Sequence, residues 1–329
     1  MQIFHKFLLL VKKVRSRIIP DTTSSRIDTD VNAVEETADL IYDKIMEGKP
    51  LMVARYGSTE LATIVNYLGV MEQNRNPFKY VFGAGLQWWW SESLIRQMQR
   101  WSGFYPPTSD RISEFCQMML DDSQLVDILG CWTRGEKNML SYLSNAKFVH
   151  LRSLEPFWAE RPWSRALKDK RILVVHPFAE TILRQYDRRE LIFDNSEILP
   201  QFKSLEVIKA VQSLGEGDTR FKDWFEALEW MKKEIDKFEY DVCLIGCGAY
   251  GFPLAAHVKR RGKQAIHLGG ALQLLFGIKG KRWEDPNYGV REWGIQYGSY
   301  SSLMNSAWVR PDEGERPRNA HNVEGGCYW

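Results

Sequence analysis

Short runs of apolar residues alternate with amphipathic stretches along most of the chain, and each spacing predicts one type of secondary structure. Apolar runs typical of buried strands occupy residues 51–56, 125–131, 148–151, 171–176, 205–211 and the residues that follow position 240. Helical periodicity occupies residues 34–46, 59–68, 110–120, 136–143, 179–186 and 221–238, and residues 78–101 combine an aromatic loop with a helix. This alternation predicts an α/β, Rossmann-like fold, in which helices cover both faces of a mostly parallel sheet. Ligands of such sheets bind beyond the carboxyl ends of the strands, here just after Val53, Val175, Ile245 and Ile266.

Changes in this pattern divide the chain into three segments. Residues 1–30 are predicted to form a basic N-terminal helix and a linker, the linker being rich in Ser, Thr and Asp from residue 19. Residues 31–285 hold the strands and helices and form the Rossmann-type domain that would carry a catalytic site. Residues 286–329 end in aromatic side chains, which predicts a C-terminal tail packed on that domain.

The N-terminal helix has an apolar side and a basic side. Phe4, Phe7, Leu8 and Val11 can share one helical face, with four basic residues close by: Lys12, Lys13, Arg15 and Arg17. Such a helix either lies on an anionic bilayer surface or packs on the body of the protein. Its apolar stretch is too short and too interrupted by Lys and Arg for a good signal peptide. No apolar run reaches the roughly 18 residues that predict a transmembrane helix.

Composition narrows the function classes. A net charge of +2 gives no whole-molecule attraction to nucleic acid, and neither a basic helix of the recognition type nor an RNA-binding aromatic motif is present. Five cysteines, an odd number, indicate reduced thiols and therefore a cytoplasmic location. Cys243 and Cys247 lie four apart without a second pair, so we expect them to be buried apolar residues rather than zinc ligands.

A glycine-rich turn is the most specific pattern in the chain. Gly246, Gly248 and Gly251 follow an apolar strand at G-x-G-x-x-G spacing and open a helix, which is typical of a diphosphate-binding loop. Tyr250, inside the loop, could stack on a base or a sugar. An NAD enzyme would place Asp or Glu at the end of the next strand to bind the ribose, but that strand ends with His267. The turn therefore predicts a nucleotide ligand other than NAD.

A second candidate turn follows residues 51–56. Arg55 offers a planar fork for phosphate oxygens, and Gly57 permits close backbone approach. Glu60 could hold a divalent ion or act as a base. The alternative is an ordinary helix start, with Ser58 as its N-cap and Glu60 favouring the helix dipole.

Two further segments carry candidate ligand-binding groups. After residues 171–176, His176 could contact a phosphate or a sugar hydroxyl and Glu180 could serve as general base, the alternative being a capped turn with an inward imidazole. The later segment, which could close over a diphosphate or be a solvated basic loop, contains His267, Gly269, Lys279, Lys281 and Arg282.

Residues 55–60, read RYGSTE, and residues 245–270, read IGCGAYGFPLAAHVKRRGKQAIHLGG, resemble the GT-D-fold glycosyltransferases, a bacterial group first described as a domain of unknown function. The resemblance spans roughly residues 51–280. It implies a Rossmann-like sheet, a UDP-sugar donor and a divalent metal, Mn²⁺ or Mg²⁺, held through an Asp-x-Glu motif.

Only part of that metal motif is present. Arg55, Gly57 and Glu60 match the family pattern, whereas Ser58 stands in place of the Asp and Thr59 in place of the Gly. A neutral serine oxygen is a weak metal ligand, so the metal should bind weakly through Glu60 or be dispensable. Cations from the basic segment could then neutralise the leaving diphosphate instead.

The sequence as a whole predicts a hexosyltransferase-type glycosyltransferase. It would move a sugar from a nucleoside diphosphate, probably UDP, to a glycan, lipid-linked or protein acceptor in surface polysaccharide or glycoconjugate biosynthesis. Glu60 and Glu180 are the candidate catalytic residues. The N-terminal helix would allow peripheral contact with the inner face of the membrane. Two alternatives stay open: a Rossmann-type enzyme that uses NAD(P) or S-adenosylmethionine, and a non-catalytic polysaccharide assembly protein.

Overall fold

Seven parallel strands form one sheet, as the alternation of apolar runs predicts. The structure is a computed structural model that describes residues 2–18, 26–73, 75–213, 220–316 and 326–329. The strands are β1 (Leu51–Ala54), β2 (Ile128–Cys131), β3 (Lys147–His150), β4 (Arg171–His176), β5 (Ser204–Lys209), β6 (Val242–Ile245) and β7 (Gln264–His267). Their order across the sheet is β3-β2-β1-β7-β6-β4-β5, and every pairing is parallel.

Helices connect the strands and flank the sheet. The α-helices are α1 (Gln2–Ile18), α2 (Val34–Met46), α3 (Ser58–Met71), α4 (Pro77–Val81), α5 (Glu92–Ser102), α6 (Ser109–Ser123), α7 (Ala179–Asp187), α8 (Trp224–Ile235), α9 (Gly251–Arg260), α10 (Leu272–Leu275), α11 (Lys281–Glu284) and α12 (Val290–Trp293). Short 3₁₀ helices cover Gly135–Tyr142, Leu151–Leu154, Pro156–Trp158, Trp163–Leu167, Arg189–Leu191, Gly248–Tyr250, Gly269–Ala271, Ser301–Leu303 and Glu313–Glu315.

The five inner strands, β2, β1, β7, β6 and β4, bury both of their faces, which explains why their apolar runs are continuous. The edge strands β3 and β5 are partly exposed. In β1, Met52 and Ala54 point into one hydrophobic cluster, and Leu51 and Val53 point into the other. Helices α3, α5, α6, α8 and α9 pack into the first cluster, and α2, α7, α10 and α11 into the second. Alternate side chains of a strand face opposite sides of a sheet, so helices cover both faces and the expected Rossmann-like α/β fold is confirmed.

Several element boundaries differ from the sequence prediction. The strands predicted at 51–56 and 205–211 end earlier, at Ala54 and Lys209. Residues 136–143, predicted as a helix, form a 3₁₀ helix, where the Glu136 side chain accepts hydrogen bonds from two preceding backbone N–H groups. Ser58 is not the N-cap of α3: Gly57 has the extended N-cap conformation, and Ser58 is the first helical residue.

The two ends of the chain are tied to the α/β body. Helix α1 packs against α4, and no helix among the described residues has the length and apolar character needed to cross a bilayer. Near the other end, Arg184 of α7 forms two hydrogen bonds of 2.5 and 2.6 Å with the Asp312 carboxylate. Part of the predicted linker, residues 19–25, and part of the predicted tail, residues 317–325, lie outside the described residues. The three segment boundaries stay predictions.

Candidate functional site

A cavity of about 180 Å³ lies at the carboxyl ends of the strands. Its walls include the turns that follow β1, β4, β6 and β7. Strands β4 and β6 are neighbours, but the chain leaves β4 toward the sheet edge at β5 and leaves β6 in the opposite direction toward β7. Adjacent connections that diverge leave a crevice above the sheet, and this is where open α/β sheets bind ligands.

The structure brings together ten of the fifteen predicted site residues. The ten that line the cavity are Arg55, Gly57, Ser58, Glu60, His176, Gly246, Gly248, Tyr250, Gly269 and Arg282. The other five do not line it: Glu180, Gly251, His267, Lys279 and Lys281.

Glu60 presents a buried carboxylate to the cavity from the first turn of α3. The residue is 9% exposed, and no described residue donates a hydrogen bond to its carboxylate. A Cβ atom on Gly57 would lie 1.8 Å from Glu60 Oε2, so only glycine at this N-cap leaves room for the carboxylate. The carboxylate oxygens therefore keep their acceptor capacity for a ligand in the cavity.

Arg55 lies beside this carboxylate and is held by an aromatic ring. Burial lowers the pKa of the Arg55 guanidinium, while the nearby Tyr328 and Glu60 oppose that change, and the group stays charged. The guanidinium lies 5.0 Å from the ring centroid of Trp132, whose indole Nε1 donates a 3.0 Å hydrogen bond to the Tyr56 carbonyl. The backbone N–H of Trp132 bonds in turn to the Glu136 carboxylate. These contacts fix a positive charge at the cavity wall.

His176 enters the cavity as a neutral side chain. Its Nδ1 accepts a 3.0 Å hydrogen bond from the Phe178 backbone N–H, so the ring proton belongs on Nε2. Burial lowers the pKa of His176 to about 3. Within the described part of the chain no acceptor bonds to Nε2, which leaves this N–H as a donor for a ligand oxygen.

The three glycines of the predicted loop have different structural roles. Gly248 has φ of +60°, a left-handed conformation that favours glycine, and Gly246 lies where a Cβ would come within 2.6 Å of the Gly269 carbonyl oxygen. Gly251 faces away from the cavity: a Cβ there would meet Nε2 of His267 at 2.3 Å. Gly246 and Gly248 therefore shape the cavity, whereas Gly251 allows α9 to pack on β7.

His267, at the end of β7, belongs to this packing rather than to the cavity wall. Burial, and to a smaller extent the positive charge of Arg55, lower its pKa to about 3, and the Arg55 backbone only partly opposes this change. At the position where a dinucleotide enzyme places its ribose-binding acid, the chain thus has a buried neutral ring.

Tyr250 is held more tightly than a stacking platform for a base would be. Its ring stacks on the Trp224 indole, with centroids 4.7 Å apart and planes at 6°, and its hydroxyl lies 2.9 Å from Ser213 Oγ. One ring face is therefore already covered inside the protein, and the side chain contributes to the cavity wall from a fixed position.

Sixteen of the residues that line the cavity were not predicted as site residues. Five of them are aromatic: Trp101, Trp132, Phe178, Tyr328 and Trp329. Arg282 contacts the C-terminal residues, since its Nη2 lies 2.9 Å from Cys327 Sγ and its guanidinium lies 4.9 Å from the Tyr328 ring centroid. Aromatic residues at the chain end predict a docked tail, but the local pattern gives no partner for them.

The residues outside the cavity lie in other environments. Glu180 is exposed and pairs with Lys209, with 3.4 Å between Oε1 and Nζ. Lys281 is exposed and Lys279 is half-buried. The structure therefore does not bring the predicted base Glu180, or the two lysines, to the cavity.

The described residues that line the cavity offer one carboxylate, that of Glu60, to a divalent metal ion. Mn²⁺ and Mg²⁺ require several oxygen ligands. Among the residues that the structure describes, no three His, Cys, Asp or Glu side chains come together in a way that could hold a metal ion. Glu60 also lies beside the positive charge of Arg55, which disfavours a second cation at the same carboxylate.

Comparison of the chain with protein-family models, with curated proteins and with solved structures finds no match. The cavity geometry therefore carries the functional argument by itself.

Proposed function

We propose that the chain is a glycosyltransferase that takes a sugar from a nucleoside diphosphate, with UDP as the leaving group, and passes it to a glycan, lipid-linked or protein acceptor. The observation that carries this proposal is the pairing of a buried, hydrogen-bond-free carboxylate, Glu60, with a cavity rim rich in groups that bind anions. A glycosyl transfer site needs both parts. A base must take the proton of the acceptor hydroxyl, and anion-binding groups must hold the diphosphate of the donor.

Anion binding is supported by side chains and backbone together. Arg55 and Arg282 both line the cavity, and a guanidinium can bind two phosphate oxygens at once. The first N–H groups of α3, and the Gly248 turn that leads into α9, open at the same cavity. Unpaired N–H groups at helix starts favour phosphate. These groups would stabilise the negative charge that develops on the departing diphosphate.

Aromatic side chains supply the remaining surface that a nucleotide sugar requires. Trp101, Trp132, Tyr328 and Trp329 line the cavity, and aromatic rings offer flat apolar area for a base or a sugar face. The cavity volume of about 180 Å³ is smaller than the roughly 300 Å³ at which pockets for drug-sized ligands begin. We therefore propose that residues 326–329 shift outward when a complete donor binds.

Glu60 would take the proton during transfer. The acceptor hydroxyl oxygen attacks the anomeric carbon, and the bond from that carbon to the diphosphate oxygen breaks with its electron pair leaving on the diphosphate. The hydroxyl proton goes to the Glu60 carboxylate. His176 would donate its Nε2–H to a donor oxygen without changing its own protonation state. As part of this proposal the enzyme works in the cytoplasm, which the five free, buried cysteines support.

A nicotinamide or S-adenosylmethionine enzyme has less support from the site. The strand after the glycine turn ends at His267 and is followed by Leu268 and Gly269, and none of these residues can bind ribose hydroxyls as a carboxylate does. The donor set at the cavity instead suits a diphosphate.

Ligand binding and turnover test the proposal directly. Calorimetric titration with UDP, UDP-sugars, NAD⁺ and S-adenosylmethionine, with and without Mn²⁺, should show binding to the UDP compounds. Arg55→Lys keeps the charge but loses the two-pronged donor, so it should weaken UDP binding by about tenfold. Its matched control, Arg96→Lys, alters an exposed arginine of α5 and should bind as the wild type does. No affinity for any nucleotide sugar would refute the proposal, and binding without donor hydrolysis or transfer would indicate a non-catalytic assembly protein.

A further inference from the structure

Helix α1 exposes a continuous apolar stripe to solvent. Ile3, Phe7, Leu10 and Val14 are 86, 58, 60 and 50% exposed. Their spacing, i, i+4, i+7 and i+11, places them on one side of the helix. Single exposed apolar residues are ordinary, but a stripe along a helix is typical of an interaction surface.

The opposite side of α1 is fixed to the body, so the direction of the stripe is defined. Leu8 is 5% exposed, and the His5 ring stacks on the Trp89 indole with centroids 4.2 Å apart. Lys12 Nζ lies 4.3 Å from the centroid of the Tyr80 ring. These three contacts leave the apolar stripe on the outside of the molecule.

Two further exposed phenylalanines lie in α4 and directly after it. Phe78 of α4 and Phe82, the residue that caps α4, are 77 and 56% exposed. The Arg15 guanidinium of α1 lies 5.9 Å from the Phe82 ring centroid, which places this ring next to α1. We call the combined surface of Ile3, Phe7, Leu10, Val14, Phe78 and Phe82 the apolar face.

The charge around the apolar face is positive. Helix α1 contains no Asp or Glu and five Lys and Arg residues. Lys6, Lys13 and Arg17 recur at i, i+7 and i+11, which places them beside the stripe on the solvent side. Apolar side chains flanked by long cationic ones are the features that bind a helix in the plane of an anionic bilayer.

We propose that the apolar face docks the protein on a lipid membrane that carries anionic headgroups. Ile3, Phe7, Leu10 and Val14 enter the region between headgroups and acyl chains, and the flanking cations contact lipid phosphates. An anionic membrane accounts both for the apolar stripe and for the positive charge beside it. The inference stands apart from the proposed transfer reaction and can hold or fail without it.

The apolar face is mechanically connected to the candidate site. Asn66 of α3 donates hydrogen bonds of 3.1 and 3.0 Å to the Gln87 and Trp89 carbonyls, and accepts one of 2.9 Å from the Ser91 N–H. Hydrogen bonds thus hold residues 87–91, which α1 contacts through Trp89, against α3, and the first turn of α3 carries Glu60. Eight residues separate the start of α3 from Asn66, about 12 Å along the axis. Docking through the apolar face would therefore hold the cavity close to the bilayer.

Vesicle sedimentation tests the docking. The full chain should sediment with vesicles of phosphatidylcholine and about one-third phosphatidylglycerol, and poorly with phosphatidylcholine alone. Phe7→Glu with Leu10→Glu should abolish sedimentation, because both changes put a negative charge on the apolar face. The matched control, Leu183→Glu with Leu191→Glu, changes two exposed leucines on another surface and should sediment as the wild type does.

A charge variant separates lipid docking from self-association. Lys6→Gln, Lys13→Gln and Arg17→Gln together should weaken binding to the anionic vesicles by about tenfold or more, and high salt should have a similar effect. Analytical ultracentrifugation of the wild type without vesicles should show a sedimentation coefficient that does not depend on concentration. Absent vesicle binding, equal binding by the Phe7 and Leu10 variant, or concentration-dependent self-association that this variant abolishes would each overturn the proposal.

Discussion

The turns from β1 to α3 and from β4 to α7 have similar sequence patterns but opposite arrangements. Each leaves a buried strand at a basic side chain and places a glutamate in the first turn of a helix. Glu60 in the first of these turns is 9% exposed, lacks hydrogen-bond donors among the described residues and lines the cavity. Glu180 in the second is exposed and pairs with Lys209 on the outside.

The difference follows from what occupies each helix start. The carboxylate of Glu315, which is 3% exposed, accepts a 2.8 Å hydrogen bond from the Glu180 backbone N–H and another from the Thr181 hydroxyl. A carboxylate from the C-terminal part of the chain thus already caps the start of α7. The start of α3 has only Glu60, drawn back over Gly57, and it remains open to the cavity. The start of α7 is already capped within the protein, whereas the start of α3 lines the cavity, where a ligand could reach it.

The largest expected difference between the two turns is the effect on the transfer rate when each glutamate is replaced by glutamine. Glu60→Gln should lower sugar transfer by about a hundredfold to ten-thousandfold, because the amide cannot take the acceptor proton. Glu180→Gln should leave transfer unchanged, since Glu180 lies outside the cavity. The measurement is kcat for transfer from the donor that binds best.

Circular dichroism and thermal melting of both variants provide the control. Both should keep the wild-type fold, so that a loss of rate in Glu60→Gln reports chemistry. Equal rates for wild type and Glu60→Gln would remove Glu60 from the mechanism, and a loss in Glu180→Gln alone would reverse the assignment of the two turns.

How much the sequence predicts depends on how local the determinant is. Arg55, Gly57 and Glu60 can be placed at the cavity because strand, turn and helix start are adjacent along the chain. The cap on α7 cannot be placed in this way, because Glu315 lies 135 positions from its partner Glu180. Without Glu315, the sequences around Glu60 and Glu180 look equally suited to catalysis.

The aromatic wall shows the same limit. Trp132, Tyr328 and Trp329 reach the cavity through packing between distant segments, so no local spacing marks them. The glycine turn shows a further limit of prediction from local sequence. Its spacing correctly predicts a tight turn, but only the contact with His267 shows that Gly251 allows the helix to pack. The hydrophobic pattern in contrast predicts the sheet well, because the inner strands bury both faces and therefore consist of continuous apolar runs.

A methyl group at the open helix start should reduce activity without removing the carboxylate. A Cβ at position 57 would lie 1.8 Å from Glu60 Oε2, so Gly57→Ala must displace that side chain. We expect kcat to fall by about a hundredfold, as small misplacements of catalytic groups do. Gly262→Ala is not a suitable control because φ there is +78°, whereas Gly314→Ala introduces a Cβ with no neighbour within 4 Å and should be silent. Wild-type activity in Gly57→Ala would show that the position of Glu60 does not matter.

Removal of the cap on α7 should affect stability rather than chemistry. Glu315→Ala deletes two hydrogen bonds at a buried helix start, which should lower the free energy of unfolding by about 1 to 3 kcal/mol. Glu315→Gln keeps an acceptor oxygen and should recover part of this loss. Urea denaturation of both variants gives the difference. A stable Glu315→Ala variant would mean that α7 does not need this carboxylate, and the contrast with α3 would lose its physical basis.

The basic side chains that open the two turns should differ in their response to pH. Arg55 is charged, whereas His176 is neutral in the folded protein because burial lowers its pKa from 6.5 to about 3. Unfolded chains bind a proton at this residue below pH 6.5 and the folded protein does not. The contribution of His176 to the free energy of unfolding is therefore complete above pH 6.5 and is lost as pH falls toward 3. Each proton taken up contributes a slope of about 1.4 kcal/mol per pH unit.

His176→Asn keeps an acceptor for the Phe178 N–H and removes the titrating group. The free energy of unfolding of this variant should therefore fall less steeply as the pH is lowered, and the difference in slope corresponds to at most one bound proton. Urea midpoints over this pH range, compared between variant and wild type, measure that difference directly. The comparison is needed because Glu155 acts with the opposite sign: burial raises its pKa to about 7, so its contribution is lost as pH rises through that value. Identical slopes for wild type and variant would mean that His176 is protonated in the folded protein, and it could then not serve the cavity as a neutral donor.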